Sequence, residues 1–181
     1  IDTVADLKAV FKRKVAVKQI LKRPGGDYII LDEKSGSILR VDSAWESGHL
    51  LIPGGQGRGK LWAPSQMTLD FSGKLFVTDL KNYPLQAFNG NGQFLFYGGW
   101  DKPGVERGWE ATAVTVDRME RLIVADRTNS QLRLYDQSGR EINLLPLGYA
   151  PSSVTAMTIT FGGQIYIIDE FRGLLTTEWE N

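Results

Sequence analysis

Four runs of apolar and β-branched residues, each ending in aspartate, recur along the chain: Tyr28 to Asp32, Leu75 to Asp79, Leu122 to Asp126 and Ile165 to Asp169. Their aspartates lie 47, 47 and 43 residues apart. A short apolar run that stops at a turn-forming residue reads as a buried strand. A constant interval of this size makes each run part of a tandem unit that buries its apolar faces against its neighbours. Six residues after each aspartate stands an aliphatic residue: Ile38, Leu85, Leu132 and Leu175. Ten residues after it come Asp42, Asn89 and Asp136, with Trp179 breaking the series. Gly92 and Gly139 then close tight turns, as hairpins prefer. Upstream lie the alternating pairs Met67/Leu69, Val114/Val116 and Met157/Ile159, followed by turns at Ser72-Gly73, Asp117-Arg118 and Gly162-Gly163. Each unit therefore reads strand A, turn, strand B ending in Asp, loop, strand C, turn, strand D. Such a four-stranded meander, repeated in tandem, is a propeller blade.

The segment LIVADRTNSQLRLYDQSGRE (122–141) resembles an NHL-type repeat through Asp126, Asn129, Arg133, Tyr135, Asp136 and Gly139. The segment 75–99 is similar, with Gln86 in place of the basic residue and Asn89 in place of the aspartate. The resemblance covers roughly 15–181 and implies an all-β fold, a β-propeller of about four four-stranded NHL-like blades. These blades span about 15–55, 62–99, 111–148 and 153–181, behind a basic N-terminal segment at 1–14. Such propellers usually have six blades, sometimes five, and four repeat signatures leave three readings of ring closure. In one expectation the N-terminal segment (VADLKAVFK, 4–12) supplies the missing outer strand of the last blade and covers its open edge. In another, Leu7, Val10, Phe11, Val17 and Leu21 form an amphipathic helix. In a third, a partner chain or a second copy completes the ring. Pro24-Gly25-Gly26 aligns with the later turns only if an insertion is allowed, which makes the first strand A the least defined element.

In the propeller the loops between strands B and C, and between strand D and the next strand A, gather on one face. The D–A connections, at about 53–63, 99–110 and 147–152, carry Arg58, Lys60, Trp62, Trp100, Lys102, Arg107, Trp109 and Tyr149. Exposed Trp and Arg serve as interface anchors through contact area, stacking and bidentate hydrogen bonds. These eight residues are the expected partner-binding set. The same tryptophans could instead fill the space between blades. Asp32, Asp79, Asp126 and Asp169 are expected to accept backbone N–H bonds from the turns that follow them. A calcium site needs several oxygens converging on one point, and there is no Asp-x-Asp-x-Asp cluster.

The chain has no cysteine and a single histidine, His49, on the expected outer strand of the first blade. That excludes thiol nucleophiles, thiolate zinc sites and multi-histidine metal sites. NHL-like lyases that depend on metal-binding histidines are therefore poorly matched, and no cofactor is expected. Formal charge is zero, with 21 basic and 21 acidic residues, which disfavours nucleic acid as a ligand. The basic excess sits at the N-terminus, in Lys8, Lys12, Arg13, Lys14, Lys18, Lys22 and Arg23, as the charged side of an edge strand or a docking patch for an acidic partner. No apolar run approaches the length of a membrane helix. The chain starts with Ile1, and a removed leader would place it outside the cytoplasm. The expectation is a non-catalytic interaction or scaffolding propeller in an extracytoplasmic assembly. A lyase or hydrolase, and polyanion or glycan binding, are the competing readings.

Overall fold

The computed structural model describes residues 5–98, 109–149 and 154–178. They form four antiparallel sheets set side by side as the blades of a β-propeller. Blade 1 is β1 (Val17–Lys22), β2 (Tyr28–Asp32), β3 (Ser37–Val41) and β4 (Gly48–Ile52). Blade 2 is β5 (Pro64–Leu69), β6 (Leu75–Asp79), β7 (Leu85–Phe88) and β8 (Phe94–Gly98). Blade 3 is β9 (Ala111–Val116), β10 (Leu122–Asp126), β11 (Gln131–Tyr135) and β12 (Glu141–Pro146). Blade 4 is β13 (Val154–Ile159), β14 (Gln164–Asp169) and β15 (Gly173–Glu178), three strands among the described residues. Every sheet runs in sequence order.

The period-2 alternation of strand B decides which blade each side chain meets. Counted back from the terminal aspartate, the first and third residues before it face the next blade, and the second and fourth before it face the previous one. Ile29 and Leu31 thus pack with Leu75 and Val77 of blade 2. Phe76 packs with Leu122 and Val124 of blade 3. Ile123 and Ala125 pack with Ile165 and Ile167 of blade 4. Burying one such Ile or Leu contributes about 1.5–3 kcal/mol, so the three inter-blade layers are the core of the molecule.

The two ends of the array differ. On blade 1 the side away from blade 2 is covered by α1 (Leu7–Phe11), whose Leu7, Val10 and Phe11 pack with Ile30, Leu39 and Val41. Asp6 caps this helix by accepting the N–H of Lys8 at 2.9 Å. The N-terminal segment therefore does not supply a closing strand to blade 4. The apolar spacing predicted at Leu7 to Leu21 splits, because Val17 to Leu21 belong to β1, pinned by its ladder with β2. On blade 4 the equivalent outward side is uncovered among the described residues: Ile168 is 48% and Leu174 64% exposed.

Two alignments read from sequence are corrected by the register. Arg23 to Asp27 forms the same turn as Asp70 to Lys74, Asp117 to Arg121 and Thr160 to Gln164, with no insertion. In each, the N–H of the first residue donates to the carbonyl of the fifth, and the fourth N–H donates to the first carbonyl. In blade 4 the residue matching Ile38, Leu85 and Leu132 is Leu174, not Leu175. Ile168 pairs with Leu174 just as Leu31 pairs with Ile38, because the loop after Asp169 is one residue shorter. A one-residue step in a strand moves a side chain to the other face, so Leu175 packs toward blade 3.

Candidate interaction face

The strand-ending aspartates hold the B–C loops in place. In blade 2, Asp79 Oδ1 accepts the N–H groups of Lys81 and Asn82, both at 2.9 Å, and of Ala63 at 3.0 Å, while Oδ2 accepts the Trp62 N–H at 2.7 Å. One buried carboxylate thus ties the B–C loop of blade 2 to the D–A connection that enters it. Asp32 does the same in blade 1 with the N–H groups of Ala16 and Lys34, and it also binds Arg13 at 2.5 Å and the Ser35 hydroxyl at 2.7 Å. Asp169 accepts the N–H groups of Phe171 and Arg172. Its Oδ2 and the Tyr149 hydroxyl are buried without a hydrogen-bond partner among the described residues. Burial and the nearby Asp169 charge push the Tyr149 pKa up.

Blade 3 builds a denser network on the same plan. Oδ2 of Asp126, fully buried, accepts Nδ2 of Asn129 at 2.8 Å and Nε of Arg133 at 2.7 Å. Arg133 also donates to Glu141 at 2.6 Å, and Tyr135 donates its hydroxyl to the same Glu141 oxygen at 3.2 Å. The guanidinium lies 4.4 Å from the centroid of Trp109. Burial alone lowers the Arg133 pKa, and the bonds to Glu141 and Asp126 more than reverse this. Burial and Glu141 push the Tyr135 hydroxyl well up. Every charge here is answered internally, which makes the cluster a structural plug between blades 2 and 3.

The candidate anchors divide accordingly. Trp109 is only 7% exposed and belongs to the layer between blades 2 and 3. Trp62 is 48% exposed, with Lys81 Nζ 6.0 Å from its ring centroid. Arg58 and Lys60 are exposed; the Arg58 guanidinium lies 4.4 Å over the Phe94 ring. Tyr149 is flanked by Arg172 at 5.1 Å. Trp100, Lys102 and Arg107 lie outside the described residues. His49 is exposed on β4, opposite Arg40. Sequence reasoning missed Tyr83 and Tyr97, which stack with centroids 4.6 Å apart. Tyr97 stands on an outward position of β8, and the alternation of Phe94-Leu95-Phe96-Tyr97 was the signal that could have found it.

Among the described residues no three His, Cys, Asp or Glu side chains are placed to hold a metal ion together, and no helix is long and apolar enough to cross a membrane.

No family model and no curated protein sequence matches the chain. Solved structures match its fold. One is PorZ, an essential bacterial surface component of the type-IX secretion system of Porphyromonas gingivalis, with TM-score 0.59 and 16% identity over 90% of this chain and 21% of PorZ. A second is from the nidogen/laminin complex, with TM-score 0.64 and 18% identity over 88% of this chain and 58% of the other. A third is virginiamycin B lyase from Staphylococcus aureus, with TM-score 0.61 and 13% identity over 90% of this chain and 55% of the lyase. The chain thus spans from a fifth to under three fifths of the length of these propellers.

Proposed function

We propose that this chain is a non-catalytic, NHL-like interaction propeller that holds a protein partner on its loop face within an extracytoplasmic assembly. The observation that carries the reading is Trp62, half exposed on a rim whose main chain is fixed by Asp79. A large aromatic side chain held open to solvent by a rigid backbone loses little entropy on binding, which is what an anchor requires. The Tyr83–Tyr97 stack on the same blade adds aromatic surface of the kind enriched at protein interfaces, and Lys81 beside Trp62 adds a cation at the rim. A lone histidine and no cysteine leave the loops without the usual metal or nucleophile chemistry, which favours binding over catalysis. The surface component PorZ and the nidogen/laminin structure support an extracytoplasmic setting by fold alone.

The test is recovery of partner proteins from an extract of the source cells on the immobilised chain, comparing wild type with a Trp62→Ala, Lys81→Ala variant of equal thermal stability. A discrete partner held by wild type and lost by the variant is expected. Equal recovery on both would overturn the assignment of this face.

A further inference from the structure

The four turns between strands A and B place Pro24, Phe71, Arg118 and Phe161 at one equivalent position, directly after the first turn residue. That position faces solvent and favours proline or small polar residues. Blade 1 follows the rule with Pro24. Blades 2 and 4 instead carry phenyl rings, 66% and 80% exposed, and neither belongs to a core layer. Folding gains nothing from a ring left in water, and the same departure occurs on the two blades that flank Arg118.

Phe71 and Phe161 line a common groove of about 170 Å³, together with Val116, Asp117, Arg118, Ile159 and Thr160. Arg118 is exposed and makes no hydrogen bond or ion pair among the described residues. The nearby carboxylates are already engaged. Asp117 accepts the N–H groups of Met119 and Arg121 and the Arg121 guanidinium at 2.7 Å, and Glu120 accepts from Gln137. The groove therefore offers apolar walls and one uncompensated cation.

We propose that this groove binds an extended peptide segment of a partner protein in which an acidic side chain neighbours a large apolar one. The carboxylate pairs with the Arg118 guanidinium, whose planar fork suits it. The apolar side chain lies between Phe71 and Phe161. The volume is well below the roughly 300–1,000 Å³ of small-molecule pockets, and it suits one or two side chains of a chain passing across the surface. Strands A and B meet here at the end of the blades opposite the B–C loops, so the site is independent of Trp62.

A displayed random peptide library is panned on the full chain, with Arg118→Gln, Phe71→Ser/Phe161→Ser and Trp62→Ala proteins as parallel baits. All four altered side chains are exposed, and thermal melts confirm that the baits are folded. Expected on wild type are peptides with Asp or Glu within two residues of Phe, Leu, Ile or Trp. A synthetic member of that set is expected to lose about tenfold in affinity on Arg118→Gln, as removal of a charge-assisted pair would give, and to keep its affinity on Trp62→Ala. Replacing its acidic residue by the amide is expected to cost the same factor on wild type and nothing further on Arg118→Gln. No enrichment, enrichment without an acidic residue, or equal binding to Arg118→Gln would each overturn the proposal.

Discussion

The side-chain amide of Gln19 forms two hydrogen bonds with the main chain of Met67: Nε2 donates to the Met67 carbonyl at 2.9 Å, and Oε1 accepts the Met67 N–H at 2.8 Å. A side chain of blade 1 thereby imitates a strand and extends the ladder across the gap to blade 2. One repeat later, Gln66 Oε1 accepts the N–H of Val114 in blade 3 at 3.0 Å. At the next equivalent position stands Ala113, so the junction of blades 3 and 4 depends on apolar packing. A buried N–H left without its acceptor costs about 1–3 kcal/mol. Gln66→Ala is expected to lower stability by that amount in urea denaturation, and Ala113→Gly, which removes no such bond, by less.

Asp32 makes stability depend on acid. Burial raises its pKa, but the bonds from Ser35, Arg13 and the Ala16 N–H outweigh burial and hold it below the ordinary value. A carboxylate depressed in the folded state stabilises the fold above its unfolded pKa of about 3.9, and this contribution is lost as pH falls through the folded pKa. Urea midpoints are expected to drop below about pH 4. In an Arg13→Gln, Ser35→Ala variant, which lacks both side-chain donors, the drop is expected to be shallower.

Glu120 has φ 59°, at the turn position where Gly26, Gly73 and Gly163 have φ 89°, 84° and 90°. A side chain in the left-handed region costs about 1–2 kcal/mol, partly returned by the smaller entropy loss of a non-glycine residue on folding. Glu120→Gly is expected to stabilise the chain by about 0.5–1 kcal/mol, read as a rise in thermal midpoint. A fall would show that the bond to Gln137 outweighs the backbone term.

The uncovered side of blade 4 is expected to make the isolated chain self-associate, because it leaves Ile168 and Leu174 in water where Leu31 and Ile38 of blade 1 are fully buried. Light scattering should show mass rising with concentration above 20.2 kDa. Ile168→Lys, Leu174→Lys should hold it at the monomer mass with an unchanged melt. Ile167→Lys, one residue away but pointing into the layer with blade 3, should unfold the chain.

What could be read in advance was local. Strand B, its terminal aspartate and the glycine turns are set by neighbours in the chain, so Leu75 to Asp79 or Asn89 to Gly92 were legible from residue type and spacing. The Leu174/Leu175 step was not, because a loop shortened by one residue keeps its composition while changing which face follows. Trp109 looked like Trp62, since both sit in D–A connections. What separates them is tertiary: Trp109 packs in the layer between blades 2 and 3 with the Arg133 guanidinium over its ring, while Trp62 is left open. Gln19 and Gln66 read as ordinary polar strand residues, because the main chain they bind lies 48 residues away in the next blade. The Phe71–Arg118–Phe161 groove needs three blades in register before it exists.

The strict succession of the blades also bears on how such a chain is made. Among the described residues each sheet forms through hairpins between consecutive strands, and each of the three inter-blade layers joins two neighbouring blades. Nothing formed early has to wait for a distant segment, so folding can keep pace with synthesis, one meander at a time. Since α1 precedes blade 1 in the chain and shields its outer side, the sticky surface of blades 1, 2 and 3 on a nascent chain is the leading one, and the blade that leaves the ribosome next carries its cover.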